Sequence, residues 1–552
     1  MHTKTPVSSR FFCMECINHH IMDYIQSRNL LYLVLILFTG LISCDDTEKI
    51  VLEPKIDSFT LQPEFNGSLD EVVVGEKYGI EIKLVVPHHV SLKNLVVSFQ
   101  FVGVKVEVND VEQISNVTAN DFSQPVTYKV FGMNSEPLEY TVTITNERLR
   151  LPQVYVNVEG HQEHSDDEKE TYKNITLRVL DADNYYTSTT DFNAVGEMKG
   201  RGNSTWYGVP KKPFRIKLGK KSSLLGMSTD KNWALLANYY DKTLLRNLTA
   251  FEISRIAEMS WTPNSISVDY YMNGTYRGVY TLTEHVSVTD ERLNMELVSE
   301  DDNSGDALTG GYFLELDFHF DEPYKFKTDR KGLPIMFKDP EEPTTNQFNY
   351  VRDFFNTAED VLYSENFTDP VEGYRKYMDV PSFINYYIVQ ELAKNVDGNL
   401  RGSCYMAIRN KGKIEFPLVW DFDLAFGNAD YITWEQGATS SEWDGWFIKT
   451  QSPWFDRLFQ DPQFVGEVKS RWNKLKPELD RIPDYIKAHA NQLDDSQKKN
   501  YTPKPVGAGW SITDKQWNTS KIRGSYDKEV EYLIYFVEKR LEWLDTNINA
   551  LK

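Results

Sequence analysis

The sequence predicts an α+β protein in which an all-β module precedes a larger domain of mixed strands and helices. Residues 54–148 contain short runs rich in β-branched residues that are separated by turn residues. Strand-like runs continue beyond residue 149, whereas helices are predicted from Gln347 to Lys394 and from Asp461 to the C-terminus. Such a β-rich half followed by a helical half is shared by many α+β enzymes. At 552 residues, two or three domains are expected.

An uncharged apolar run near the N-terminus, Leu30–Ile42, predicts an export signal. Arg28 precedes the run, and Ser43 and Cys44 follow it directly. The run is shorter than the roughly 20 apolar residues that span a membrane, and it fits the core of a secretory signal. Its end resembles the bacterial lipobox, in which the Cys becomes the lipidated first residue of the mature protein. A plain signal peptide or anchor with an incidental Cys is the alternative.

These features place the protein in a bacterial cell envelope, lipid-anchored through Cys44 on the periplasmic side or on the outer surface of the outer membrane. We expect residues 1–44 to form a lipoprotein signal peptide with an extended leader, and residues 45–53 to form a tether. After processing, only Cys44 and Cys404 remain, so no internal disulfide framework is expected. The net charge of −21 disfavours nucleic acid and anionic membrane surfaces as partners.

The module at 54–148 is predicted to be an Ig-like β-sandwich. The runs Tyr78–Val86, Asn94–Val102 and Tyr140–Ile144 alternate apolar and polar residues or are rich in β-branched ones. About 95 residues of short strands fit such a sandwich. No catalytic constellation occurs in it, which indicates a spacer or an interaction module.

The domain at 149–552 begins with recognisable local elements. Phe214–Leu218 alternates like a strand, and Asp241 is placed to cap a helix with apolar positions from Leu244 to Ile256. Val268–Met272 and Gly278–Thr283 are predicted to pair through the Asn-Gly turn between them.

Two acidic segments flank a second predicted hairpin. Asp397 precedes the strand-like run Cys404–Arg409, and Asp421 follows the run Lys413–Val419. A hairpin returns its ends to one place, so Asp397 and Asp421 should lie side by side. Neighbouring carboxylates bind hard cations such as Mg²⁺ and position the nucleophile in phosphoryl transfer.

An ordered set of motifs over residues 150–550 resembles the CotH kinase family, which is named for a bacterial spore coat protein. The motifs are Gly200-Arg-Gly-Asn-Ser-Thr-Trp206, Lys211-Lys-Pro-Phe-Arg-Ile-Lys-Leu218, Asp241-Lys-Thr-Leu-Leu-Arg-Asn247, Gly278-Val-Tyr-Thr-Leu-Thr-Glu284, Gly310-Gly-Tyr-Phe-Leu-Glu-Leu-Asp317 and Trp420-Asp-Phe-Asp423. The resemblance implies a divergent, two-lobed protein-kinase-like fold that binds ATP with Mg²⁺ or Mn²⁺. Some members phosphorylate secreted or coat proteins on Ser or Thr, and fungal relatives act as surface adhesins.

The resemblance also implies roles for individual acidic residues. Asp397 matches the catalytic acid that orients the acceptor hydroxyl and accepts its proton, and Asp421 matches the metal-binding position. Asp423 would share a face with Asp421 in extended backbone, as a second ligand or a structural acceptor. Protein kinases carry a second-metal Asn five residues after the catalytic Asp. Gly402 occupies that position here, so Asn399 is the candidate substitute, with Asn395 as an alternative.

Phosphate binding is expected from the basic segment. The loop that contains Arg201 and Asn203 pairs a cation with glycines that permit close backbone approach. One lysine of the following strand would act as the kinase strand lysine, with Lys217 favoured and Lys212 as an alternative. Further candidates for the nucleotide site follow along the chain: Arg246, Glu252 and Glu284.

The sequence therefore predicts an extracytoplasmic, lipid-anchored protein kinase that transfers the ATP γ-phosphoryl group to a secreted or cell-envelope protein. Two other classes stay open. The missing second-metal Asn motivates a catalytically inactive surface-binding or adhesion lipoprotein. The pair Asp421 and Asp423 also fits the paired acids of a metal-dependent glycan hydrolase.

Overall fold

The computed structural model describes residues 51–69, 71–87, 90–146, 150–429, 443–515 and 522–552. The chain divides into two compact units, Met1–Thr145 and Asn146–Lys552, and is of mixed α+β class. Cys44 and the signal segment lie outside the described residues. Within the described ranges, every helix is too short or too polar to cross a bilayer.

The first unit consists of two β-sheets around one core. The four-stranded sheet has the order β2-β1-β5-β8 and the six-stranded sheet the order β3-β4-β10-β9-β6-β7. The aromatic rings of Phe59, Phe99 and Tyr128 meet in the core at centroid distances of 5.2–6.3 Å. The expected run at 78–86 is divided at Gly79, whose φ of 65° ends β3 before β4 begins. The strands are β1 Lys55–Leu61, β2 Val73–Val74, β3 Glu76–Tyr78, β4 Glu81–Val86, β5 Leu95–Val102, β6 Lys105–Val108, β7 Val111–Glu112, β8 Ala119–Asn120, β9 Val126–Phe131 and β10 Leu138–Asn146.

The second unit begins with a closed barrel. Its order is β11-β12-β13-β14-β15-β17-β16, and the parallel pairing of β11 with β16 closes it. The Asn-Gly hairpin is confirmed, because Met272 pairs with Thr275 and both turn residues have positive φ. The strands are β11 Gln153–Val158, β12 Lys173–Leu180, β13 Asp191–Gly200, β14 Phe214–Ser222, β15 Asp230–Leu236, β16 Ser265–Met272 and β17 Thr275–Glu284.

A five-stranded sheet follows the barrel, with the order β19-β20-β18-β21-β22. The predicted hairpin between the two acidic segments forms, because Ala407 pairs with Glu415 and Ile408 with Ile414 in antiparallel register, but its second strand covers only Ile414–Glu415 of the expected run Lys413–Val419. The central strand β18 is buried along its whole length. The strands are β18 Tyr312–Leu316, β19 Lys325–Lys327, β20 Pro334–Asp339, β21 Cys404–Ile408 and β22 Ile414–Glu415.

Helices make up most of the C-terminal part, as the sequence predicts. Apolar side chains of these helices join the buried face of the five-stranded sheet in one large core. The α-helices are α1 Ser204–Tyr207, α2 Arg246–Ile256, α3 Thr345–Leu362, α4 Val380–Ala393, α5 Ile448–Gln451, α6 Pro453–Leu458, α7 Pro462–Leu479, α8 Ile482–Gln492, α9 Asp494–Tyr501 and α10 Tyr526–Ala550. Short 3₁₀ segments lie at Glu159–His161, Asp166–Glu168, Gly305–Thr309 and Tyr374–Lys376.

Asp241 supports the start of α2, although it is not the capping residue that the sequence suggested. The N-cap is Leu245, and its side chain accepts no capping hydrogen bond. The Asp241 carboxylate instead accepts hydrogen bonds from the backbone N–H groups of Thr243 and Arg246 at 2.9 and 2.8 Å. One carboxylate thus satisfies donors that the helix start would leave unpaired.

A buried ion pair fastens α10 to α4. The guanidinium of Arg540 bonds the Glu391 carboxylate and donates to the backbone oxygens of Glu391, Trp443 and Gly445. Glu391 also accepts from the N–H groups of Phe447 and Lys449 at 2.7 and 2.9 Å. Because both charges are buried, the pair is stabilising only while each keeps its partners.

Replacing Arg540 by Met should strongly destabilise the second unit. The substitution leaves the Glu391 carboxylate buried without its cation, which costs about 3–5 kcal/mol for pairs of this kind. All 12 Trp residues lie beyond residue 200, so urea unfolding followed by Trp fluorescence reports on this unit alone.

The matched control is Glu258→Gln, which removes the exposed ion pair of Glu258 with Arg471. We expect a loss below about 1 kcal/mol there, because solvent screens exposed pairs. Equal losses for the two variants would contradict the structural role of the buried pair.

Candidate active site

One cavity in the second unit gathers most of the predicted acidic residues. Its volume is about 540 Å³, within the range of small-molecule sites. Most of its lining comes from the loop after β13, the end of β18 with the residues that follow, β20, the loop before β21, and the segment after β22, and further lining residues include Lys169, residues 236–239 and Asn247. Of the predicted site residues, those on the cavity are Arg201, Asn203, Asp397, Asp421 and Asp423.

Asp397 and Asp421 meet across the hairpin, as predicted. Both carboxylates line the cavity, and burial together with the charge of Asp421 raises the pKa of Asp397 to about 7. The side chain of Arg401 lies 4.0 Å from Asp397 and acts in the opposite direction. A carboxylate with a pKa near 7 is suited to accepting a proton at neutral pH.

Asp421 departs from the extended backbone that the sequence suggested. Its φ is 65°, in the left-handed region that non-glycine residues seldom adopt. The side chain is exposed to the cavity, yet the surrounding protein still raises its pKa by desolvation. A strained conformation that presents a carboxylate to a cavity is a frequent feature of functional sites.

Asp423 lies deeper than Asp421. It is 9% exposed, and burial followed by the charge of Asp421 holds its pKa well above its usual range. Its backbone oxygen accepts a hydrogen bond from the Asn428 side chain at 2.6 Å, which fixes the turn after the acidic segment. The charges of the two carboxylates therefore repel each other, and the charge of Arg201 offsets part of this repulsion.

Arg201 is the principal cation facing these acids. Burial lowers the pKa of Arg201, and the charges of Asp421 and Asp423 act in the opposite direction. Its guanidinium also lies over the Trp420 ring, 5.5 Å from the centroid. The basic loop and the acidic segment thus face each other across the cavity.

The glycines of the basic loop have an internal packing role. A Cβ on Gly200 would lie 2.6 Å from the Trp206 ring, and Gly202 has a φ of 73° with the Thr205 hydroxyl against it. The Oδ1 atom of Asn203 accepts a hydrogen bond from Lys169 at 3.1 Å. Glycine is therefore required at both positions by the loop itself, without any appeal to a phosphate.

Side chains of helix α2 form hydrogen bonds with the acidic segment that contains Asp421 and Asp423. The Oδ1 atom of Asn247 accepts a hydrogen bond from the Phe422 N–H at 2.9 Å, between the two aspartates. The Nε atom of Arg246 donates to the Ala425 oxygen at 3.1 Å. The sequence suggested Arg246 as a nucleotide ligand, but Arg246 is fully buried, is paired with Asp241 and does not line the cavity. Its role is to position this loop.

Several predicted nucleotide ligands lie elsewhere. Lys217 is exposed on β14 and lines a different concavity on the barrel surface, because its side chain points away from the first cavity. Lys212 forms an ion pair with Asp166 at 2.9 Å. Lys211 does reach the cavity, but its amine is buried against the Val279 oxygen. On these contacts the strand lysines do not supply a free phosphate ligand.

The remaining predicted ligands also have structural contacts. Glu284 is buried and accepts from the N–H groups of Ser228 and Asn264 at 2.8 and 2.9 Å, which ties β17 to two turns. Glu252 pairs with Arg255 on α2, away from the cavity. Asn399 does not line the cavity, and its buried Oδ1 has no hydrogen-bond partner.

Three cavity residues were missed in the assignment of roles. Glu315 and Asp317 alternate on and just after β18, and Lys338 lies on the neighbouring β20. The amine of Lys338 is 3.3 Å from Glu315 and 2.6 Å from Glu322. The sequence did contain a signal for two of them, because Glu315 and Asp317 lie two residues apart within the family motif that runs from Gly310 to Asp317.

The cavity suits a metal ion that arrives with a phosphate ligand. No group of three His, Cys, Asp or Glu side chains in the described ranges is arranged to hold a metal ion alone. Mg²⁺ is usually held by one or two carboxylates, with substrate phosphates and water completing its shell. The hard oxygen donors Asp421 and Asp423, whose repulsion Arg201 offsets only in part, fit Mg²⁺ or Mn²⁺ bound in this way.

Comparison with known proteins identifies the family. The model described as CotH kinase protein matches residues 198–544, most of the chain, so the protein belongs to the CotH kinase family. The model described as SGBP, N-terminal, matches residues 56–144. A comparison with curated proteins gives no match.

One solved structure with detectable similarity is titled as a proposed glycoside hydrolase from Bacteroides thetaiotaomicron. The identity is 14% and the TM-score is 0.13, over 36% of this chain and 54% of that chain. The chain thus spans about half of that protein, and so low a TM-score carries no argument on fold or activity.

Replacing Asp397 by Asn should stabilise the metal-free protein at high pH. The raised pKa means that the folded chain keeps a proton between about pH 4 and pH 7 that the unfolded chain releases. Stability therefore falls as pH rises through this window, by up to about 1.4 kcal/mol per pH unit for one group. The amide lacks this penalty, so its stability should vary less with pH.

Urea unfolding with a chelator at pH 5, 6, 7 and 8, followed by Trp fluorescence, measures this effect. Asp321→Asn is the control, because Asp321 is an exposed carboxylate on the same cavity. If stability varies with pH as steeply in the Asp397 variant as in the wild type, the raised pKa of Asp397 is not the cause of the pH dependence.

Proposed function

We propose that this protein is a metal-dependent kinase that transfers the ATP γ-phosphoryl group to Ser or Thr hydroxyls of secreted or cell-envelope proteins. The observation that carries the proposal is the meeting of Asp397 and Asp421 at one cavity, opposite Arg201. Membership of the CotH kinase family supports nucleotide use.

In this proposal Asp397 acts on the acceptor. Its carboxylate orients the substrate hydroxyl and accepts the proton as the hydroxyl oxygen bonds to the γ-phosphorus. The bond between that phosphorus and the β,γ-bridging oxygen breaks, and ADP leaves. The raised pKa of Asp397 makes its carboxylate basic enough to take the proton near neutral pH.

Asp421 and Asp423 would hold the divalent cation. When bound, Mg²⁺ or Mn²⁺ offsets phosphate charge and brings the γ-phosphoryl group into line with the acceptor. The two carboxylates orient the cation, and Asn247 fixes the backbone between them. Of the cations that line the cavity, Arg201 and Lys338 would bind phosphate oxygens.

In this proposal Lys338 acts as the kinase strand lysine, a role that the sequence analysis assigned to Lys217. Protein kinases pair a strand lysine with a glutamate so that the lysine is oriented toward the phosphates. Lys338 on β20 contacts Glu315 on β18 within the cavity wall. Under this proposal the barrel with its sheet and the helical part act as the two lobes of a divergent kinase-like domain.

The first unit is proposed to be an Ig-like module that binds a glycan at the cell surface. The match to the SGBP N-terminal model supports this, since that family is associated with glycan binding. A surface-binding protein without catalysis is the second candidate function, and the same match favours it. Cys44 is proposed as the lipid anchor in either case.

Phosphate transfer from γ-labelled ATP tests the kinase. The chain from Asp45 onward, with Mg²⁺ or Mn²⁺, should label itself or a generic acceptor protein. Asp397→Ala and Asp421→Ala should each lower the rate by about 100-fold or more, because general base catalysis and metal charge each contribute on that scale.

Lys217→Ala is the matched control and should keep the wild-type rate, because Lys217 lines another concavity. Lys338→Met should lose most of the activity. Absence of labelling, together with absence of metal-dependent ATP binding by calorimetry, would refute the kinase and favour the surface-binding protein.

Lipidation has its own test in a bacterial expression host. Mass spectrometry of the purified full chain should find an acyl-modified Cys44 at the mature N-terminus. Cys44→Ser should show no acyl group and no incorporation of labelled fatty acid. An unmodified Cys44 in mature wild-type protein would contradict the anchor.

A further inference from the structure

The loop after Asp397 lacks a ligand that protein kinases place there. Kinases use an Asn five residues after the catalytic Asp to bind a second metal ion. Gly402 occupies that position here and has no side chain to offer. Asn399, the candidate substitute in the same loop, does not line the cavity.

The space beside Gly402 is filled from another element. A Cβ on Gly402 would lie 3.2 Å from the Oδ2 atom of Asp317 and 3.3 Å from the Phe318 ring. The Asp317 carboxylate, presented from the end of β18, therefore lies in tight contact with the place where a side chain at position 402 would begin. A glycine in the loop makes this close approach possible.

Asp317 is held rigidly in this position. Its Oδ2 accepts a hydrogen bond from the Ser403 N–H at 2.9 Å, and its Oδ1 accepts one from the His319 N–H at 2.8 Å. Each carboxylate oxygen can accept about two hydrogen bonds or ligand contacts, so both oxygens keep capacity for a cation. The side chain is 9% exposed and lines the cavity.

The charge of Asp317 is not neutralised by an ion pair among the described residues. Its neighbour Glu315 is paired with Lys338, and Asp397 lies 4.0 Å from Arg401. Asp317 lines the same cavity as Asp397 and Asp421, and its charge acts to raise the pKa of both. A carboxylate without an ion-pair partner at this place adds affinity for a second cation.

We propose that Asp317 supplies from β18 the second-metal ligand that kinases supply from the catalytic loop, so that the cavity takes two divalent cations with the nucleotide. The inference rests on the proposed function, because the cations bind with ATP. It also explains how this chain dispenses with an Asn at position 402.

Counting bound Mn²⁺ tests the proposal without any measurement of turnover. The probe is Mn²⁺ titrated into the full chain with a saturating non-hydrolysable ATP analogue, with free Mn²⁺ followed by electron paramagnetic resonance. The wild type should bind two Mn²⁺ per chain. Asp317→Asn, which keeps an acceptor oxygen for the loop, should bind one tightly and the second at least 10-fold more weakly.

Two further variants sharpen the test. Asp321→Asn removes one exposed carboxylate from the same cavity and should keep both sites. The double variant Asp317→Ala with Gly402→Asn frees space at position 402 and returns the ligand to the loop, so the second Mn²⁺ should be regained. Thermal unfolding followed by Trp fluorescence should place Asp317→Asn within a few degrees of the wild type.

The outcomes distinguish a failure of the role proposed for Asp317 from a failure of the proposed kinase function. Two Mn²⁺ in both the wild type and Asp317→Asn would overturn the role of Asp317 and leave the proposed kinase intact. One Mn²⁺ in the wild type would overturn it as well. No Mn²⁺ bound with the nucleotide in the wild type would overturn the proposed function and this inference together.

Discussion

The buried ion pair between Asp241 and Arg246 is the constraint on which the site depends. Both side chains are fully buried, so the cost of desolvating them is recovered only while all their partners are in place. Asp241 follows the barrel strand β15, Arg246 begins α2, and Arg246 reaches the Ala425 oxygen in the acidic segment. This one pair therefore fixes the barrel, helix α2 and the acidic segment around Asp421 and Asp423 relative to one another.

Within that frame the cavity concentrates negative charge. Burial raises the pKa of Asp397, Asp421 and Asp423 above the ordinary range, and the charge of Asp421 acts in the same direction on the other two. Arg201 compensates only part of this charge. In the proposed function a divalent cation would relieve the repulsion among these carboxylates, and affinity for the cation would be gained at the expense of stability without it.

Much of the fold and part of the site follow from local sequence patterns. The Asn-Gly turn and the hairpin between the acidic segments were predicted correctly, because turn chemistry and alternation act over a few residues. The same hairpin brought Asp397 to Asp421. The prediction that Lys217 lies at the site was wrong. Alternation along a strand shows which residues share a face, but it does not show which face lies against the cavity.

The sequence by itself determined the family, the α+β class and the pairing of Asp397 with Asp421, since each depends on ordered motifs or neighbouring elements. Only the tertiary structure decided that Arg246 holds a loop, that Lys338 faces the cavity, and that Asp317 stands beside Gly402. These contacts join residues far apart in the chain. Their geometry is set by how the barrel, the sheet and α2 pack, which no local pattern records.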